Sequence, residues 1–153
     1  MRLPSVLWVL PALLVGCGDA GDVSLTVHSL DEAIVVKNGA FGETVSGRFA
    51  LRFVLGRESS ADSTEVSLGT FSLQSASGTP LVEVLDVNPE FDFPYRAAKG
   101  NVYTSGFIIP SVGVEQGVMA CPGPVRIVGA LMDSLKGGTV PLRSNPITPD
   151  CSQ

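Results

Sequence analysis

The sequence predicts an all-β protein, built as an antiparallel sandwich of about eight short strands. Three observations carry that prediction. Apolar and polar residues alternate with a period of two along most of the chain. The 17 glycines and 11 prolines fall mostly between the alternating runs, where turns are expected. No window holds three turns of an amphipathic helical pattern.

The elements follow in order. Val23, Leu25 and Val27 fall on one side of a first strand, with Ser24, Thr26 and His28 on the other. Ala33 to Lys37 reads as a second strand, closed by a tight turn at Asn38-Gly39. Gly47 to Leu55 is the clearest strand: Phe49, Leu51, Phe53 and Leu55 share one face, and Arg48, Ala50, Arg52 and Val54 the other. Glu58 to Thr64 is a solvated loop. Beyond it the alternation of Val66 and Leu68 passes out of step into Phe71 and Leu73, with Gly69 at the switch, which predicts a bulge or a crossing between sheets. Ser75 to Gly78 turns the chain into Leu81 to Val87, so that Phe71 to Val87 forms a hairpin. Val102 to Ile109, Pro124 to Met132 and Thr139 to Leu142 complete the set, the last two joined across Lys136-Gly137-Gly138.

Ahead of these strands, a single basic residue, Arg2, precedes an apolar stretch from Leu3 to Val15 that ends in Leu14-Val15-Gly16-Cys17. A spanning helix needs about 20 apolar residues, so the stretch has the length of a signal-peptide core. The pattern Leu14-Val15-Gly16-Cys17 resembles the lipobox of bacterial lipoproteins, although Pro4 and Pro11 interrupt the apolar core and the n-region carries one charge. The resemblance implies export, diacylglyceryl transfer to the Cys17 sulfur and cleavage before Cys17. It divides the chain into a signal peptide (1–16), a small acidic lipidated tether (17–22) and a sandwich domain (23–153). It also implies attachment to the bacterial cell envelope. Gly18 after the cysteine, in place of an acidic residue, favours the outer membrane over the inner. One acyl chain holds only reversibly, whereas the two or three of a mature lipoprotein anchor stably.

The net charge of −5, one unit more negative once Arg2 is removed, lacks the basic face that nucleic acid or an anionic membrane surface requires. Membrane attachment therefore falls to the lipid on Cys17. With Cys17 acylated, Cys121 and Cys151 remain as an even pair in an oxidising compartment, where a disulfide is expected. A metal thiolate pair or a redox couple is the alternative, but the Cys-x-x-Cys spacing and a neighbouring histidine are both missing.

The strand layout, above all Gly47 to Leu55 followed by Phe71-Ser-Leu-Gln and the Gly78 turn, resembles the immunoglobulin-like domains of secreted and surface-attached bacterial proteins. It departs from antibody-type domains in three ways. The one tryptophan, Trp8, lies in the leader, Met119 stands two residues before Cys121 in place of tyrosine, and no early strand carries a cysteine.

The catalytic inventory is sparse. His28 is the one histidine; it stands on the polar face beside Ser29 and Asp31, and no Gly-x-Ser-x-Gly elbow accompanies it. Asp86-Val-Asn88-Pro-Glu90-Phe-Asp92 places oxygen-bearing side chains at every second position, a donor set suited to calcium. An EF-hand would need glycine where Phe91 stands and a carboxylate where Ala97 stands, so a solvated acidic loop competes with a metal site at Asp86, Asn88, Glu90 and Asp92. In an extended segment Phe91, Phe93 and Tyr95 would share one side. Facing inward they plug one end of the sandwich; facing outward, with Tyr103, they form a platform for a glycan or a protein partner. The sequence thus predicts a non-enzymatic binding or structural module without a cofactor, with an unknown protein or glycan partner. A carboxylate-based, glycosidase-like hydrolase and a calcium-stabilised carbohydrate- or protein-binding module are the rivals.

Overall fold

The computed structural model describes residues 25–135 and 138–152. The lipobox with Cys17, the tether, and Lys136 and Gly137 of the predicted last turn lie outside them. Eleven strands and no helix occur among the described residues. They are β1 (Leu25–Gly39), β2 (Gly42–Leu55), β3 (Ser63–Leu68), β4 (Ser72–Ser75), β5 (Pro80–Val82), β6 (Asn88–Pro89), β7 (Arg96–Ala98), β8 (Val102–Gly113), β9 (Val125–Asp133), β10 (Gly138–Arg143) and β11 (Asp150–Ser152). One sheet runs β11, β1, β2, β8, β6; the other runs β5, β4, β9, β3, β7, with β10 on the free side of β9. Every pairing is antiparallel except β1 with β11. Both sheets contribute to one hydrophobic core, and the arrangement is consistent with a β-sandwich.

The count exceeds the sequence pattern's eight because β6, β7 and β11 are too short to show alternation. It also differs because the run through Val66 and Leu73 divides into β3 and β4, while two predicted strands are one. Leu25 through Gly39 pairs continuously with β2, but the register changes between Leu30↔Ala50 and Ala33↔Arg48, so Asp31 and Glu32 together face Phe49. This is a bulge, and Asp31 takes a φ of 52° within it. The extra residue flips the parity: Leu25 and Val27 point into the core before the bulge, Ile34 and Val36 after it. Gly47 is required opposite, since a Cβ there would come within 2.3 Å of the Ala33 carbonyl oxygen. The turn that closes the hairpin sits at Ala40-Phe41 rather than at Asn38-Gly39, with Gly42 supplying the positive φ of 121°.

The predicted shift near Gly69 is present. Leu68 pairs with Leu131 and Ser72 with Val128, leaving three residues of this edge against two of β9. The Gly69 N–H donates to the Ala130 carbonyl at 2.9 Å, and the switch turns Phe71 and Leu73 inward after Val66. Gly129 lies against the Phe71 ring, which leaves no room for a Cβ. The hairpin that follows is shorter than its sequence pattern: only Pro80–Val82 pairs with β4.

Phe49, Phe53, Phe71 and Phe107 are fully buried, and the Phe49 and Phe71 rings meet across the two sheets at 5.8 Å. Burial of each such ring contributes on the order of 1.5–3 kcal/mol. The Cys121–Cys151 disulfide forms, with Cα atoms 6.2 Å apart. It fixes β11 alongside β1, where Val36 pairs with Cys151.

Candidate functional site

The segment between β6 and β7 departs from the extended geometry that its sequence suggests, and the reason is local. Pro89 and Pro94 bracket it and lack the N–H groups that a paired strand would need. The three aromatic rings therefore part company: Phe93 is 3% exposed, whereas Phe91 is 80% and Tyr95 69% exposed. Neither sequence alternative holds for all three. Phe93 is a plug, and Phe91 and Tyr95 remain outside.

The segment is held at three points. At its start the Glu90 N–H donates to the Gly106 carbonyl at 2.9 Å, and the Glu90 carboxylate lies over Gly106, where a side chain would collide with it. At its end the Val66 N–H donates to the Tyr95 carbonyl at 2.9 Å. Between them Phe93 packs against Phe53 at 5.6 Å and Phe107 at 5.9 Å, and Tyr95 stands edge-on to Phe93 at 5.6 Å. An exposed ring set on a buried one keeps its position, so binding to it orders little additional chain.

Tyr103 belongs to the scaffold. It is partly buried, stacks on Phe53 at 5.4 Å and accepts the Ala98 N–H on its hydroxyl at 2.9 Å. The acidic side chains Asp86, Glu90 and Asp92, with Asn88, are all exposed. Among the described residues no three His, Cys, Asp or Glu side chains gather as a metal ion would require. His28 is exposed on the outer face of its sheet.

Two shallow depressions meet at Tyr95. One, of about 500 Å³, is lined by Pro89, Glu90, Phe91, Asp92, Phe93 and Tyr95. The other, of about 690 Å³, is lined by Tyr95 with Glu65, Val66, Ser67, Arg96, Met132, Asp133 and Ser134. The one ion pair among the described residues, Lys99 with Asp62 at 3.7 Å, lies elsewhere, so neither Glu90 nor Asp92 is ion-paired.

The second depression contains a group that no sequence motif marks. Asp133 is 2% exposed; its Oδ1 accepts the Thr64 hydroxyl and, at 3.0 Å, the Leu135 N–H, while its Oδ2 has no hydrogen-bond partner. A sequence signal for it existed. Val125, Ile127 and Leu131 mark the inward parity of β9, and Asp133 continues that series with a carboxylate in a core position. Thr64 does the same on β3, ahead of Val66. Glu43 was missed as well: it is buried, its Oε2 accepts the Ala120 N–H beside the disulfide, and its Oε1 is unpartnered.

No family model, curated protein or solved structure matches this chain.

Proposed function

We propose that this protein is a lipid-anchored module of the bacterial cell envelope, carried on an immunoglobulin-like β-sandwich and binding a partner through Phe91 and Tyr95. The observation that carries the reading is the exposed Tyr95 ring seated edge-on against the buried Phe93, with the bare Phe91 ring lining the same depression. Single exposed apolar residues are ordinary, but two aromatic side chains that line one depression form a patch of the kind that marks an interaction site. The fold is supported by two mainly antiparallel sheets on one core. The anchor is supported by Leu14-Val15-Gly16-Cys17, with outer-membrane sorting favoured by Gly18. The formed Cys121–Cys151 disulfide agrees with an oxidising compartment.

Two experiments test the two halves. In the producing cell, Cys17→Ala abolishes metabolic labelling by palmitate and moves the protein out of the membrane fraction; unchanged labelling and fractionation would refute the anchor. A photo-crosslinking side chain placed at position 91 gives a discrete adduct in living cells, while one at position 41, on the still more exposed Phe41 of the first hairpin, gives none. Equal yields at the two positions, or none at position 91, would refute the platform.

The hydrolase reading draws on one observation. Asp31 and Glu90 line a single depression of about 360 Å³ with Arg48 on the outer face of the first sheet. Turnover of a glycoside by the full chain, lost in Glu90→Gln, would put that reading first.

A further inference from the structure

We propose that the surface on both sides of Tyr95 receives a basic, extended segment of a partner polypeptide, whose Lys or Arg side chains enter the two depressions; this rests on the platform reading above. Charge decides between occupants. From Glu83 to Tyr95 the chain carries Glu83, Asp86, Glu90 and Asp92 and no Lys, Arg or His. Glu90 and Asp92, which flank Phe91, have no ion-pair partner among the described residues. The faces of Phe91 and Tyr95 are themselves attractive to ammonium and guanidinium groups, so rings and carboxylates favour the same ligand charge.

An independent observation in the second depression agrees. Asp133 lines it almost fully buried, with Oδ2 lacking any donor. A buried acceptor left in that state is costly and rare; Oδ2 is closed to solvent, and a turn of the Asp133 side chain toward the depression would bring it to the N–H of an incoming ammonium or guanidinium. One cation lines this depression and does not supply it. Arg96 lies opposite Glu65, its Cα partner across β3 and β7; Arg48 shares a separate depression with Glu90 and is not ion-paired to it. A neutral glycan would stack on the rings but would leave these carboxylates without countercharge. Two depressions sharing one ring suit consecutive side chains of a polypeptide better than a single free cation.

The test uses the full chain in detergent micelles and a fluorescein-labelled hexalysine peptide, read by anisotropy. Binding is expected in the micromolar range and weakens about tenfold between 0.05 and 0.5 M salt. Phe91→Ser and Tyr95→Ser, which change no charge, each weaken it about fivefold, as does Asp92→Asn. Asp133→Asn weakens it too, in a variant whose unchanged spectrum shows that it folds. Asp150→Asn, a carboxylate on β11, leaves it unaltered. Absence of binding at millimolar peptide overturns the proposal. So does equal weakening by Asp150→Asn with none from Tyr95→Ser, which marks diffuse attraction to an acidic protein. So does displacement of the peptide by cellohexaose in a manner that Tyr95→Ser abolishes, which assigns the rings to a glycan. In each case a surviving crosslink at position 91 keeps the platform while the basic partner falls.

Discussion

The ribbon of β1, β2 and β8 and the segment from Glu83 to Ala98 lie in the same molecule but are stabilised differently. In the ribbon, long strands pair residue by residue, and Phe49, Leu51, Phe53 and Phe107 are covered on all sides. In the segment, only Asn88–Pro89 and Arg96–Ala98 pair, and the buried Leu85, Phe93 and Ala97, with the partly buried Val87, hold the chain to the core. The ribbon spends its aromatic residues on cohesion, whereas the segment uses one ring for cohesion and leaves two in water. The contrast separates the part of the protein that folds it from the part that is free to bind.

The largest expected effect lies in the ribbon. Phe49 touches both Phe71 across the sheets and Phe107 beside it, at 5.8 and 5.3 Å. Phe49→Ala opens a cavity between the sheets and should cost about 3–5 kcal/mol, read as a lowered midpoint in urea unfolding. A loss below 1 kcal/mol would mean that the two sheets do not share this core. Next comes the clamp. Cys151→Ser removes a link closing a loop of 30 residues and should cost about 3–4 kcal/mol in the chain-entropy model. The loss should be accompanied by faster amide exchange at Val35 to Lys37, the residues that β11 covers.

A smaller effect tests the bulge that joins β3 to β4. A Cβ on Gly129 would approach the Phe71 ring to 2.3 Å, and that ring is itself buried against Phe49 and cannot swing away. Gly129→Ala should therefore destabilise by about 1–3 kcal/mol, as overpacking does, and Phe71→Leu in the same chain should recover part of the loss. An unaffected unfolding midpoint would place the ring elsewhere.

The ribbon was largely legible in the sequence because alternation with buried Phe and Leu at every second position admits few other readings, as Gly47 to Leu55 shows. Gly69 marked its bulge because glycine at a break of phase is a local signal. The bulge at Asp31 and Glu32 was not legible: its effect is a change of parity, and in one dimension a parity change is indistinguishable from the end of one strand and the start of another. The outer segment was legible only in its composition. Which of Phe91, Phe93 and Tyr95 is buried depends on two prolines and on contacts with Phe53, Phe107, Gly106 and Val66, all distant in sequence. Asp133 was readable in principle, as a carboxylate in step with the inward residues of β9, but its bond to Thr64 joins residues 69 apart.

The smallest stability effect is the one that most sharpens the contrast. Phe91 is 80% exposed and makes no ring contact, whereas Phe93, two residues on, meets three other rings. Phe91→Ser should change unfolding free energy by no more than about 0.5 kcal/mol, as surface substitutions do, whereas Phe93→Ser should cost several times as much. The informative measurement is the pair together, stability and crosslinking in the same cells. If Phe91 is a contact residue, serine there removes partner capture while leaving the melting temperature in place, and the division between cohesive and exposed rings is functional. If Phe91→Ser lowers the melting temperature as much as Phe93→Ser does, the ring is part of the fold, and the platform loses its first member.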